Sequence, residues 1–231
     1  MTDRAHVLDA LGTVFDPELD EPITSLRFVT SCDVTADGDV DVRLRLPTPQ
    51  CAPNFAFLMA ADARDAVRRL PEVRVVTVVL EDHYTGHEIN AAVSRGGGFG
   101  DAFPGETEGE LDALRELFQR KALVARQARL CEALLTAGAT AEEVTARRVA
   151  DLPDEHDAHR CLELRGHLGI STDADAPAFV LPDGAPIAAA DLNHWMRMAR
   201  LVRTSLEANG GICRSLLRIR YDINDPEEAA A

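Results

Sequence analysis

Cys51 stands in Leu46-Pro47-Thr48-Pro49-Gln50-Cys51-Ala52-Pro53, where a strand-like pattern gives way to a helical one. A thiol at the start of a helix faces backbone N–H groups and the positive end of the helix dipole, which favours the thiolate. A thiolate is both a nucleophile and a soft ligand for iron, zinc or copper. Oxygen donors for a mixed site lie in Asp16-Pro17-Glu18; Pro17 disfavours helical geometry at Asp16, so both carboxylates belong to a loop. His83 and His87 follow a valine-rich run and are four residues apart, a spacing that lets two imidazoles share a helical face and bind metal. Thr48, Pro49 and Tyr84 form the supporting loop around these groups. The plain alternative for Cys51 is a small buried filler, as most free cysteines are. For Asp16, Glu18, His83 and His87 it is a solvated loop position.

The elements that must position these residues are legible from periodicity. Val40, Val42, Leu44 and Leu46 alternate with polar residues as a half-buried strand, and Asp37-Gly38 makes it the second arm of a hairpin whose first arm carries Leu26, Phe28 and Val34. Phe55, Leu58, Met59, Ala63, Ala66, Val67 and Leu70 recur at helical spacing over about 53–70, with Pro53 in the first turn. Residues 73–80 read as a third strand, apolar on both faces and hence central and parallel. With a short helix over 5–14, the order is helix–strand–strand–helix–strand, an α/β (α+β) two-layer domain over residues 1–95 with a right-handed final crossover. The glycine-rich stretch 96–105 reads as a flexible linker, with no phosphate-loop lysine following it.

Residues 106–231 read as a mostly α-helical domain. A long helix is expected over 107–137, ended by Gly138; Thr140-Ala141-Glu142-Glu143 is a capping-box start, and further helices cover 154–168 and the Leu192–Leu206 stripe around Trp195. Leu216–Tyr221 fits a strand or a helix. His156, His159, Glu163 and His167 line one side of a helix, which a solvated polar face explains better than a metal site. Cys131 and Cys161 read as core, and Cys213, after Gly210-Gly211, is unassigned.

The net charge of −15, shared by both parts, repels phosphate backbones and argues against a nucleic-acid partner. Five widely spaced cysteines without a C-x-x-C argue against a disulfide framework and a zinc ribbon. The N-terminus has no apolar signal core and no run reaches membrane-spanning length, so the expectation is a cytoplasmic protein with no membrane partner. No nucleophile elbow, zincin or dinucleotide motif appears, which disfavours a conventional small-molecule enzyme.

Asp16-Pro17-Glu18, the hairpin, Thr48-Pro49-Gln50-Cys51, the helix and the valine-rich strand occur in the order seen in small iron–sulfur cluster assembly domains. Residues 5–93 thus resemble the PaaD-like and SufT-like metal–sulfur cluster biosynthetic proteins. In three places the chain departs from the pattern: Arg27 stands where the family usually has glycine, Ala52 separates the cysteine from its proline, and Asp82-His83-Tyr84 replaces a segment that tends to carry tryptophan. The resemblance implies a maturation factor in which Cys51 is the principal functional residue and Glu18 lies nearby. It also implies iron or an iron–sulfur cluster as transient cargo, the assembly machinery and a client metalloprotein as partners, and a homodimer.

Two further readings stand beside that one. In the first, the protein is a client-specific adaptor, for example for a non-haem iron oxygenase, whose C-terminal helices grip the client without metal chemistry. In the second, it is a thiol enzyme with Cys51 as nucleophile and His83 or His87 as base, which needs an imidazole within reach of the sulfur.

Overall fold

The computed structural model describes residues 2–105 and 108–222. The elements in chain order are α1 (Arg4–Leu11), β1 (Phe15–Asp16), β2 (Glu21–Pro22), β3 (Val29–Val34), β4 (Asp39–Arg45), α2 (Pro53–Arg68), β5 (Val75–Glu81), α3 (Gly86–Arg95), α4 (Phe99–Ala102), α5 (Glu108–Thr136), α6 (Ala141–Thr145), a 3-10 turn (Val149–Asp151), α7 (His156–His167) and α8 (Ala189–Tyr221). The class is mixed α and β, with the strands at the N-terminal end and helices beyond. Among the described residues no helix is long and apolar enough to cross a membrane.

The chain divides into two compact units. One contains the residues before 114 together with those after 208; the other contains 114–208. The expectation of domains at 1–95 and 106–231 joined by a linker at 96–105 draws the line elsewhere. Within 96–105, Gly96 adopts φ +68 and caps α3, and α4 follows at once, burying Phe99 and Ala102 in the first unit's core. Apolar side chains next to the glycines outweigh their flexibility. Residue 107, the expected start of the long helix, lies outside the described residues.

In the first unit β3, β4 and β5 form a sheet in that order, β3–β4 antiparallel and β4–β5 parallel through α2. The hairpin turns at Asp37-Gly38, where φ of +83 and the Glu72 carbonyl lying where a Cβ would stand leave room only for glycine. Val40, Val42 and Leu44 of β4 and Val78 and Leu80 of β5 face one way, against Phe57, Ala60, Ala63 and Val67 of α2 and Ile89 and Val93 of α3. The other face carries Thr30, Asp41, Arg43 and Glu81, with Arg43 pairing to Glu81 at 3.3 Å. β5 is therefore an edge strand with one buried face, not a central one: Val75 is 50% exposed. Its valines record the preference of β-branched residues for extended backbone rather than burial on both sides.

The last part of α8, from Asn209 to Tyr221, belongs to this first unit. Leu217 is buried in its core and Cys213 and Tyr221 pack against it, so Leu216–Tyr221 is helix, not strand. Gly210 permits the approach, since a Cβ there would sit 3.1 Å from Glu21 Oε1.

The second unit has its own core, including Leu123, Cys131, Cys161, Leu164, Phe179, Leu192 and Trp195. Thr140 and Glu143 form the expected capping box of α6. His156, His159, Glu163 and His167 lie exposed along α7, and His159 pairs with Asp154 at 2.8 Å, a solvated face as expected. Gln127 exchanges two hydrogen bonds with the Val180 backbone, at 3.0 and 2.7 Å, and buried Arg165 donates to the carbonyls of Pro177 and Ala178. These bonds satisfy an irregular segment that would otherwise bury bare polar backbone.

Leu217→Ala is expected to destabilise the first unit by about 2–4 kcal/mol through the cavity it leaves. Urea unfolding followed by far-UV circular dichroism checks this, and an unchanged midpoint would place the end of α8 outside that core.

Candidate functional site

Thr48-Pro49-Gln50-Cys51 is a β-turn with proline at its second position, closed by the Cys51 N–H donating to the Thr48 carbonyl at 3.3 Å. Ala52 then N-caps α2 without a side-chain bond, and Pro53 takes the first helical position. The nearest helix donors are reduced from what the sequence suggests. Proline has no N–H, and the Phe55 amide donates to Asn54 Oδ1 at 2.9 Å. The half-buried Cys51 sulfur instead has the Thr48 hydroxyl 3.7 Å away.

Two groups beyond β5 clamp this turn. His83 Nε2 donates to the Cys51 carbonyl at 2.8 Å, and the Tyr84 N–H donates to the Pro49 carbonyl at 3.1 Å. Because a carbonyl only accepts, His83 carries its proton on Nε2 there, and Nδ1 accepts from the Thr85 hydroxyl at 3.1 Å. Both ring nitrogens are thus spent on holding loops. In this arrangement His83 supports the Cys51 turn through Nε2. His87 lies exposed in the first turn of α3 and Tyr84 is 59% exposed, its ring 5.1 Å from that of His83.

Asp16 ends β1, its Oδ1 accepting from the N–H groups of Glu18 and Leu19 at 2.8 and 3.0 Å. Burial pushes its carboxyl up to about 6, against the pull of those two amides. Glu18 Oε1 accepts from Asn209 Nδ2 at 3.2 Å. Four residues further along α8, the Cys213 thiol is pushed up to about 11, first by burial and then by the charges of Asp16, Cys51 and Glu18. Cys213 thus lies within electrostatic reach of Asp16, Glu18 and Cys51. Arg214 fixes the same stretch of α8 by donating to both Glu21 oxygens at 2.8 and 2.7 Å. At the helix end the Tyr221 hydroxyl donates to Asp82 at 2.6 Å while Arg45 stacks 3.9 Å over the Tyr221 ring. Among the described residues no three His, Cys, Asp or Glu side chains stand at metal-binding geometry.

The profile of the family described as "Iron-sulfur cluster assembly protein" matches residues 4–80, which hold the turn, its strands and both carboxylates. Over 90 residues the chain is 33% identical to the uncharacterized protein MJ1129 of Methanocaldococcus jannaschii, covering 39% of this chain and 93% of that one. The chain belongs to the iron–sulfur cluster assembly protein family. It is also 38% identical over 78 residues to the iron-sulfur cluster carrier proteins of Mycobacterium bovis and Mycobacterium tuberculosis. Those 78 residues are 34% of this chain and 20% of the carriers, so it spans about a fifth of their length. No solved structure matches it.

The assembly-family residues account for Cys51, Asp16 and Glu18 but not for Asn209 and Cys213, which lie far beyond the matched segment. The one sequence signal for these is Gly210-Gly211 inside an apolar helical stretch, a pair that disfavours helix unless something packs closely against it.

Asp16 gives a pH dependence of known sign. An acid whose pKa is higher folded than unfolded stabilises the fold while protonated, and that contribution is lost as pH climbs from about 4 to about 6. Asp16→Asn keeps the acceptor and cannot ionise. It is expected to match the unsubstituted protein near pH 4 and to exceed it by about 2–3 kcal/mol at pH 7. Urea midpoints across that range decide; a difference independent of pH would contradict the assignment.

Proposed function

We propose that the protein is an iron–sulfur cluster assembly or carrier factor that takes iron or a cluster on Cys51 and hands it to a client metalloprotein. The observation that carries this reading is the Cys51 turn itself: a half-buried sulfur whose turn is held by hydrogen bonds to its carbonyls, with the Cys213 thiol within electrostatic reach of it and of the Asp16 and Glu18 carboxylates. Family membership and the likeness to the mycobacterial iron-sulfur cluster carrier proteins support it. Iron is the cargo here, not a resident cofactor. Soft thiolate with hard carboxylate suits iron, and a site with few sulfurs releases metal more readily than one of four thiolates. Burial raises the Asp16 carboxyl to about 6, and a cation arriving beside it favours the ionised form and recruits it as an oxygen donor. His83 fixes the turn so that the sulfur keeps its place when cargo binds or leaves.

The reading extends to transient loading, a cytoplasmic setting, exchange with the assembly machinery and a homodimer. The alternative is the client-specific adaptor without metal chemistry. The thiol-enzyme reading is set aside, since both nitrogens of the His83 ring are engaged with backbone and Thr85 rather than with the sulfur.

Anaerobic reconstitution with ferrous iron and sulfide is expected to give a thiolate-to-iron absorbance band. Cys51→Ser should lose it while keeping its far-UV spectrum. A band of equal intensity in the substituted protein would overturn the assignment, and full client maturation by Cys51→Ala would favour the adaptor.

A further inference from the structure

A cavity of about 380 Å³ opens between the segment joining β2 to β3 and the end of α8, and none of the residues assigned above to cargo lines it. Ser25 and Arg27 line it from the loop, and Gly211, Arg214, Ser215 and Arg218 line it from the helix. The helical four are spaced i, i+3, i+4 and i+7 and so share one face. A Cβ built on Gly211 meets nothing within 4 Å, so the glycine widens the space. Three arginines and two serines thus line the cavity and none of its lining residues is acidic, although Arg214 pairs with Glu21 and the Ser215 hydroxyl donates to the Gly211 carbonyl, in a chain of net charge −15.

Arg27 adds a second observation. It sits at φ +59, in the left-handed region where a side chain is strained and glycine is at ease. The turn that imposes this is closed by Arg27 N–H to the Thr24 carbonyl at 3.0 Å and Phe28 N–H to the Ile23 carbonyl at 2.9 Å. A long cationic residue at such a strained position in the lining of a cavity is the kind of strain that accompanies binding. Arg214 is fixed by Glu21, which holds one wall in place.

We infer that this cavity binds a small molecule bearing two or more carboxylate or phosphate groups. The planar guanidinium matches both oxyanions through paired N–H donors, it stays charged at any physiological pH, and two anionic groups are needed to reach both walls. The volume lies near the lower end for small-molecule pockets, which fits a compact polyanion rather than a polymer. The inference does not depend on cargo binding at Cys51.

Thermal denaturation and titration calorimetry of the full chain test it, with pyrophosphate and citrate as probes and sodium chloride at matched ionic strength as control. At least one probe should raise Tm saturably, by about 5 °C at roughly a hundredfold excess over Kd. Arg218→Gln and Arg27→Gly should each weaken binding at least about tenfold; Arg27→Gly, which relaxes the turn, should keep an unliganded Tm no lower than that of the original chain. A response to pyrophosphate alone assigns a phosphate ligand, one to citrate alone a polycarboxylate, and one to both the shared chemistry. No saturable binding of either probe, or binding unchanged in both substituted proteins, overturns the inference.

Discussion

The parallel pairing of β4 with β5 is the constraint on which the site depends. Parallel strands end at the same edge, and here Arg45 pairs with Glu81, so the turns that follow both strands emerge side by side. The Cys51 turn leaves β4 and the His83-Tyr84 segment leaves β5, which makes the two clamping hydrogen bonds geometrically short. An antiparallel β5 would put His83 at the opposite end of the sheet. The crossover through α2 is what allows the parallel arrangement, and the same helix covers the sheet's apolar face.

What could be read from the sequence is what local chemistry decides. The Asp37-Gly38 turn, the 3.6-residue repeat of α2 behind Pro53, and the Thr140–Glu143 box each depend on residues a few positions apart. The edge placement of β5 could not be read this way, because its valines suit an exposed edge as well as a buried centre. The helix α3 had a C-terminal signal in Arg95-Gly96, yet an N-cap without a side-chain bond left its start unmarked.

The candidate site divides along the same line. Cys51 announces itself by its turn, and the Asp16 and Glu18 carboxylates by the proline between them. Cys213 does not, since its partners are Asp16, Glu18 and Cys51, more than half the chain away. No periodicity encodes such a pairing. His83 was legible as a neighbour of the cysteine but not in its role, because only the directions of its two ring nitrogens separate a ligand from a clamp.

The first unit is built from the beginning and the end of the chain, with residues 114–208 intervening. During synthesis its sheet and early helices can collapse as they emerge, but Leu217, Asn209 and Cys213 arrive only after the whole second unit has been translated. The donors around Cys51 are therefore assembled late, by a contact of very high order in sequence. A nascent chain carries Cys51 without the end of α8 until translation is nearly over, and Cys213 comes within its electrostatic reach only then.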